Sequence, residues 1–254
     1  MKLVRYSFEG VARFGALEGD EIRPMAGELG RLEPERGTRP VGLNQVRLLA
    51  PVLPTKIVAI GLNYRDHAKE MGKQLPAEPL LFLKPPSAVI GPGDQIIYPP
   101  QTSRLDYEGE LAVVIGRTAR KVSPADARDY ILGFTCMIDV TARDLQSRDV
   151  QYTRAKGFDT FAPLGPAIAT DIDASDLGLE TRLNGEVRQH SRTSQLIFDC
   201  NHLLSYISHV MTLMPGDVIS TGTPSGVGPM QIGDVVEVEI ERIGCLRSSV
   251  IAAS

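Results

Sequence analysis

The chain has 254 residues, 43% of them hydrophobic, and a formal net charge of −4; that length supplies one large domain, or a main domain with a small appendage, whose core needs no disulfides, and the charge gives no basic footprint for nucleic acid. Cys136, Cys200 and Cys245 are odd in number, widely spaced and without a C-x-x-C pair, so they read as buried thiols of a reducing compartment and argue against a metal–thiolate site. No run of 18 apolar residues and no apolar leader segment stands in the chain, so a soluble cytoplasmic protein is expected.

Residues 1–50 read as a small β-rich N-terminal subdomain, with a hairpin pattern in KLVRYSF and VARFGALEG and a further strand in EIRPM. The two prolines of APVLPTK separate it from the strongly patterned remainder, residues 51–254. KIVAIG then predicts a short strand. GLNYRDHAKEM predicts a short helix with His67 and Glu70 at i and i+3, on one face. A carboxylate so placed can orient an imidazole for general acid–base work, although an isolated H-x-x-E is more often a solvated surface pair. PLLFLK, AVIG and QIIYP continue as strands, and Lys84 closes the first of them with its direction open.

In LDYEGELAVVIG, Asp106, Glu108 and Glu110 alternate, so an extended strand sends all three carboxylates from one face, neighbours about 7 Å apart at their roots. Like charges at that spacing repel unless a cation stands between them; an acidic face left in solvent is the commoner outcome. Leu105, Tyr107, Leu111, Val113 and Ile115 suit the core side of a half-buried strand. SPADARDY reads as helical, and the apolar run ILGFTCMI as a strand buried on both faces that ends in Asp139. A carboxylate there needs a partner. Glu108, Glu110 and Asp139 would offer three oxygen ligands of the kind Mg2+ or Mn2+ takes; the alternative is Asp139 paired with Arg143 or capping the following helix. Thr141 with Asp144 has the spacing of a capping box opening a helix in TARDLQSRDVQ.

RAKGFDTFAPLGP places Lys156 beside a glycine among turn signals, where a lysine is usually a solvated charge. AIAT continues as a strand, and LETRLNGEVRQ carries an Asn-Gly hairpin signal. SQLIFDCNHLLSYISHVMTL predicts the longest helix; its His202 and His209 have neither an H-E-x-x-H frame nor a carboxylate partner and are assigned packing or surface roles. DVISTGTPSGVGP is a strand entering a Gly-rich loop with Thr223 at its tip. Such a loop can present backbone N–H groups and a hydroxyl to a carboxylate; it lacks the G-K-[ST] of a nucleotide loop, and a plain tight turn fits equally. With VVEVEIERIG the pattern is of many short strands and few helices, which predicts a strand-rich α+β fold, a mixed β-sandwich or β-roll and not a Rossmann sheet.

Taken in order, GLNYRDHAKEM, EPLLFLKPPSAVIGPGD, DYEGELAVVIG, GFTCMIDVTARDLQ, RAKGFDTFAPLGP, LNGEVRQ and PGDVISTGTPSGVGP resemble the fumarylacetoacetate hydrolase family, in particular its acylpyruvate hydrolase and 2-hydroxyhepta-2,4-diene-1,7-dioate isomerase branch, over about residues 53–250. The resemblance implies the fumarylacetoacetase C-terminal type of β-roll, a homodimer, and Mg2+ or Mn2+ held by three carboxylates. These fall on Glu108, Glu110 and Asp139, the same three that the strand pattern reaches. It further implies a catalytic pair at His67 and Glu70, orienting roles for Arg143, Gln146 and Lys156, and a carboxylate-binding loop at Gly222 and Thr223.

On that resemblance the substrate is a small 2-oxo or 2,4-dioxo acid, and the reaction passes through a metal-stabilised enolate. C–C hydrolysis of an acylpyruvate leads. Isomerisation or decarboxylation of 2-hydroxy-dienedioates and decarboxylation of oxaloacetate share the intermediate. A non-catalytic binder of metal and carboxylates on the same fold is the reading from another class, and the presence of both His67 and Glu70 favours an enzyme. No nucleic-acid or membrane partner is expected.

Overall fold

The computed structural model describes residues 1–253. The strand-rich reading holds: apolar and β-branched runs pair into three sheets. In the largest, Lys2–Phe8, Val11–Glu18 and Glu21–Ala26 form successive antiparallel pairs, and Lys2–Phe8 continues onto Ala162–Ala169 through Lys2↔Ala169 and Leu3↔Ile168. Residues 1–50 thus add strands to one side of the main sheet. The sheet then passes through Ile131–Ile138, Gly109–Ile115, Val218–Ser220, Ile57–Gly61 and Leu80–Lys84. A second sheet contains Val235–Ile240, Gly178–Leu183 and the hairpin strand Glu186–Arg192.

One hydrophobic cluster joins the two sheets, with Leu111, Val113 and Ile138 from the first packed with Leu179, Val238 and Leu246 of the second. Each such fully buried aliphatic side chain contributes about 1.5–3 kcal/mol relative to exposure, so this interface holds the strand ends that carry the acidic residues.

Among the described residues four α-helices interrupt the strands: α1 Arg65–Glu70, α2 Arg143–Arg148, α3 Thr153–Lys156 and α4 Cys200–Val210. Asp199 caps α4 by accepting the His202 N–H at 2.8 Å. The helix is shorter at its start than the sequence predicts, because Asn63 takes the backbone N–H groups of Ile197 and Phe198 at 2.8 and 2.9 Å and holds them extended. His202 stacks on Phe198 at 5.2 Å and His209 Nδ1 lies 2.9 Å from the Ser205 carbonyl, both packing roles. SPADARDY yields only a 3-10 turn, Ala127–Tyr130.

Three other expectations change. LDYEGELAVVIG is two strands broken at Glu108: Leu105–Tyr107 pairs with Thr141–Ala142 and Gly228–Met230, Gly109–Ile115 joins the large sheet, and both are buried throughout. The capping box at Thr141 does not form, since Thr141 is committed to that small sheet and its hydroxyl donates to the Asp139 carbonyl, while Asp144 accepts from Thr102 and Ser103. Cys136 and Cys200 are buried, but Cys245 is exposed, at an outward position of the Gly244–Ala252 strand. Among the described residues no helix is long and apolar enough to cross a membrane.

Candidate active site

Strand register brings the three carboxylates together. Gly109 stands opposite Ile138, so Glu108, just before one strand, meets Asp139, just after the other; the Asp139 N–H donates to the Glu108 carbonyl at 2.8 Å. Ligand atoms of Glu108, Glu110 and Asp139 all lie within 4.8 Å of one another, and all three residues are buried. The glycine between the two glutamates is dictated by packing: a Cβ at Gly109 would fall on Thr181 Oγ1, 3.0 Å from Val238 and 3.2 Å from Gln189.

Three cations surround the cluster. Lys156 Nζ donates to Glu108 Oε2 at 2.9 Å and to Asp139 Oδ2 at 2.5 Å, while Lys84 Nζ donates to Asp139 Oδ1 at 2.6 Å and to the Val140 carbonyl at 3.2 Å. Arg143 pairs with Glu108 through Nη2, with Asp106 Oδ2 through Nε at 2.8 Å, and with the Gln146 side-chain oxygen. The pairing of Asp139 with Arg143 therefore does not form; two lysines take its place. Asp106 does not join the three carboxylates. It lies fully buried between Arg104, at 2.9 Å, and Arg143.

These pairings split the titration of the cluster. Burial disfavours charge at Glu108, yet Lys156 and Arg143 outweigh it and hold that carboxyl below its usual range. Glu110 has no cationic partner among the described residues: burial, then Asp139 and Glu108, push it up to about 8, against the hydrogen bond it accepts from Ser220 Oγ at 2.5 Å. The two lysines shift in opposite directions. For Lys84 burial dominates and lowers its pKa, whereas for Lys156 burial is overcome by Asp139 and Glu108, because only Lys156 bridges two carboxylates. The donor set fits a hard divalent cation: carboxylate oxygens only, already converging on an ammonium, with one buried carboxyl left uncompensated.

The segment around α1 is pinned to the second sheet. Arg65 donates to the Leu196 carbonyl at 2.5 Å, and Ser191 Oγ donates to Asp66 Oδ2 at 2.5 Å, while Asp66 Oδ1 accepts the His67 N–H at 2.7 Å. On the face so presented, His67 Nδ1 lies 2.9 Å from Glu70 Oε2. Opposite is the loop after Val218–Ser220. Gly222 has φ +100°, and a Cβ there would stand 2.8 Å from that of Asn63, so the position requires glycine; its N–H donates to Glu110 Oε2 at 2.9 Å.

A cavity of about 240 Å3 lies between these elements. Its polar lining includes His67, Glu108, Glu110, Arg143, Gln146, Lys156 and Thr223, and its apolar lining includes Leu62, Met71, Leu80, Phe82 and Tyr152. Glu70, Asp139 and Gly222 are bonded directly behind that surface. Larger concavities, of about 480 and 400 Å3, lie elsewhere; among the described residues only the Glu108–Glu110–Asp139 group could share a cation. Sequence reasoning left Lys84 undecided and passed over Gln189 and Ser220. Lys84 carried a signal, a lysine ending an apolar strand; Gln189 and Ser220 carried none that could be read without knowing the register.

The chain is similar to known proteins over its main part and its N-terminal part. The family model for the fumarylacetoacetate (FAA) hydrolase C-terminal domain matches residues 56–251, and a model described as Rv2993c-like, N-terminal matches residues 1–51. The crystal structure of a 2-hydroxyhepta-2,4-diene-1,7-dioate isomerase from Mycobacterium marinum is 45% identical with a TM-score of 0.93, covering 100% of this chain and 99% of that one. A mitochondrial oxaloacetate tautomerase of Rattus norvegicus is 42% identical over 220 residues, 82% of this chain and 70% of its own. A maleylpyruvate hydrolase from Sphingobium sp. SYK-6, solved with manganese(II) and pyruvate, is 31% identical with a TM-score of 0.83 and full coverage of both chains.

Proposed function

Because the chain belongs to the fumarylacetoacetate hydrolase family, we propose that it is a divalent-metal-dependent enzyme acting on a small 2-oxo or 2,4-dioxo acid, with C–C hydrolysis of an acylpyruvate-type substrate as its reaction. The observation that carries this reading is that one cavity of about 240 Å3 is lined by Glu108, Glu110 and His67, with Asp139 completing the carboxylate cluster and Glu70 holding His67 from behind that lining. A binding protein would need the carboxylate cluster and the anion loop but no proton shuttle. Mg2+ or Mn2+ held by Glu108, Glu110 and Asp139 would supply an electrophile that stabilises negative charge developing on a keto oxygen.

The remaining steps belong to the chain. Arg143, Gln146 and the Gly222–Thr223 loop receive and orient the substrate's carboxylate. Lys156 has one N–H beyond its two carboxylate bonds, available to the cavity that it lines. Glu70 keeps the His67 ring in place, and His67 takes a proton from the water that attacks the distal carbonyl; the C–C bond then breaks, one fragment leaves as a carboxylic acid and the other as the enolate of pyruvate, whose carbon takes up the proton. Leu62 and Phe82 give the cavity an apolar wall beside these polar groups.

A second reaction on the same site has support from the comparisons: the relatives at 45% and 42% identity are named an isomerase and a tautomerase. There His67 would take a proton from the substrate's enol oxygen and deliver it to a substrate carbon, with no water activated. Assays of acylpyruvates, oxaloacetate and 2-hydroxy-dienedioates with and without Mn2+ decide between them. Turnover of acylpyruvates supports hydrolysis, proton exchange without cleavage supports the second reading, and metal-independent or absent turnover rejects both.

The enzyme is further proposed to be a homodimer. Leu80–Lys84 ends the large sheet and leaves Leu80 and Leu83 about half exposed, an apolar edge that subunit pairing would cover. Light scattering that gives a monomer mass contradicts this.

A further inference from the structure

We propose that Gln189 is the positioning residue of the anion loop, tying Thr223 to the strand that carries the metal-binding carboxylates. In this arrangement the backbone N–H of Thr223, and not its hydroxyl, is the group left for a ligand carboxylate. The proposal rests on the reading of the site given above and assigns a role to a strand outside it.

Gln189 lies on the hairpin strand Glu186–Arg192, where only it and Ser191 are buried. Its side chain is 1% exposed and every polar group on it is engaged. Oε1 accepts the Gly109 N–H at 2.9 Å; Nε2 donates to Thr223 Oγ1 at 2.8 Å and to the Pro224 carbonyl at 2.9 Å. Thr223 Oγ1 in turn donates to the Gly109 carbonyl at 3.0 Å. The three side and main chains therefore close a ring: Gly109 to Gln189, Gln189 to Thr223, Thr223 back to Gly109.

The ring has two consequences. Gly109 stands between Glu108 and Glu110, and no Cβ fits there, so the loop is fastened to the ligand strand with nothing between them. The single proton of the Thr223 hydroxyl is committed inside the protein, so it cannot also be donated to an anion. Among the described residues the Thr223 N–H, in contrast, has no hydrogen-bond partner, Thr223 lines the cavity, and Pro224 after it has no N–H to offer. Two residues along the same strand, Ser191 holds Asp66 beside His67, so one strand sets both the loop and the helix across the cavity.

The test compares Gln189→Met, Thr223→Val and their double variant, with Mn2+ and oxalate as probes. Mn2+ affinity is read by electron paramagnetic resonance, and Mn2+-dependent oxalate binding by calorimetry. The expected result is Mn2+ affinity within about threefold of wild type in each single variant, oxalate affinity lower by about tenfold or more, and no further fall in the double variant, because both changes open one ring. Thr223→Ser, which keeps the hydroxyl, retains oxalate binding; should Gln189→Met not fold, Gln189→Glu, which keeps an acceptor for the Gly109 N–H and loses the donor to Thr223, takes its place in the same comparison. Additive losses in the double variant would mean that the hydroxyl contacts the ligand itself and would overturn the proposal. So would unchanged oxalate affinity in Gln189→Met or Thr223→Val, or loss of Mn2+ and oxalate together. Wild-type protein that binds Mn2+ but no oxalate would instead reject the reading of the site as a 2-oxo acid site, and the proposal with it.

Discussion

Glu70 holds His67 with one carboxylate oxygen and the Gly-rich loop with the other: Oε2 lies 2.9 Å from His67 Nδ1, and Oε1 accepts the Gly226 N–H at 3.1 Å. The helix is thus latched across the cavity, with Arg65 and Asp66 anchoring its start. His67→Ala should lower turnover by about a hundredfold or more, the range of lost general acid–base catalysis, while Mn2+ and oxalate binding stay nearly intact. Steady-state kinetics beside calorimetry checks this; oxalate binding that falls as steeply as turnover makes His67 a ligand contact instead. A decarboxylation surviving the substitution places His67 on the hydrolytic path alone.

Replacing Glu108, Glu110 or Asp139 with Ala should abolish activity and remove the rise in melting temperature on adding Mn2+, since a ligand that binds only the folded state stabilises it by mass action. Thermal melts with and without Mn2+ give the answer. Equal metal affinity in all three variants dismisses the assignment.

Lys84 is fully buried, and its ammonium is 2.6 Å from Asp139. Lys84→Met should destabilise the metal-free protein, by less than the ~3–5 kcal/mol of a buried pair broken completely, because Lys156 still pairs with Asp139. Added Mn2+ should recover more stability in the variant than in wild type, because the cation also balances Asp139. Denaturant titrations in both conditions measure it, and an unchanged midpoint in the metal-free variant contradicts it.

Asp217 accepts from Thr55 N at 2.9 Å, Thr55 Oγ1 at 2.6 Å and Met214 N at 2.8 Å, and pairs with Lys56, which joins the start of one central strand to that of its neighbour. Burial opposes its charge, but Lys56 and Thr55 prevail and hold the carboxyl below its ordinary value of 3.8. The folded state thus favours the ionised form. Its stabilisation is complete above that ordinary value and disappears as pH falls through the lower folded one. Asp217→Asn should therefore cost stability at neutral pH, and the difference from wild type should shrink in the acid range below the ordinary carboxylate value. A gap that widens on acidification would refute the linkage.

Sequence alone carried the local relationships. The i, i+3 pairing of His67 with Glu70 needs only one turn of helix, and the carboxylate ending an apolar strand at Asp139 follows from burial. The ordered series of motifs pointed to the family and, through it, to the fold. The capping box at Thr141 failed because a strand partner far away in the chain, Leu105–Tyr107, claimed that residue.

Register and packing decided the rest. Gly109↔Ile138 puts Glu108 beside Asp139, the packing of a second sheet explains the glycine between the glutamates, and the fold brings Lys84 onto Asp139, 55 residues away. Gln189 reaches Gly109 from 80 residues away. A strand's own residues state which side chains alternate, but not which strand lies beside it or by how many residues it is shifted. A shift of one residue reverses every side chain, so those contacts exist only in the folded chain.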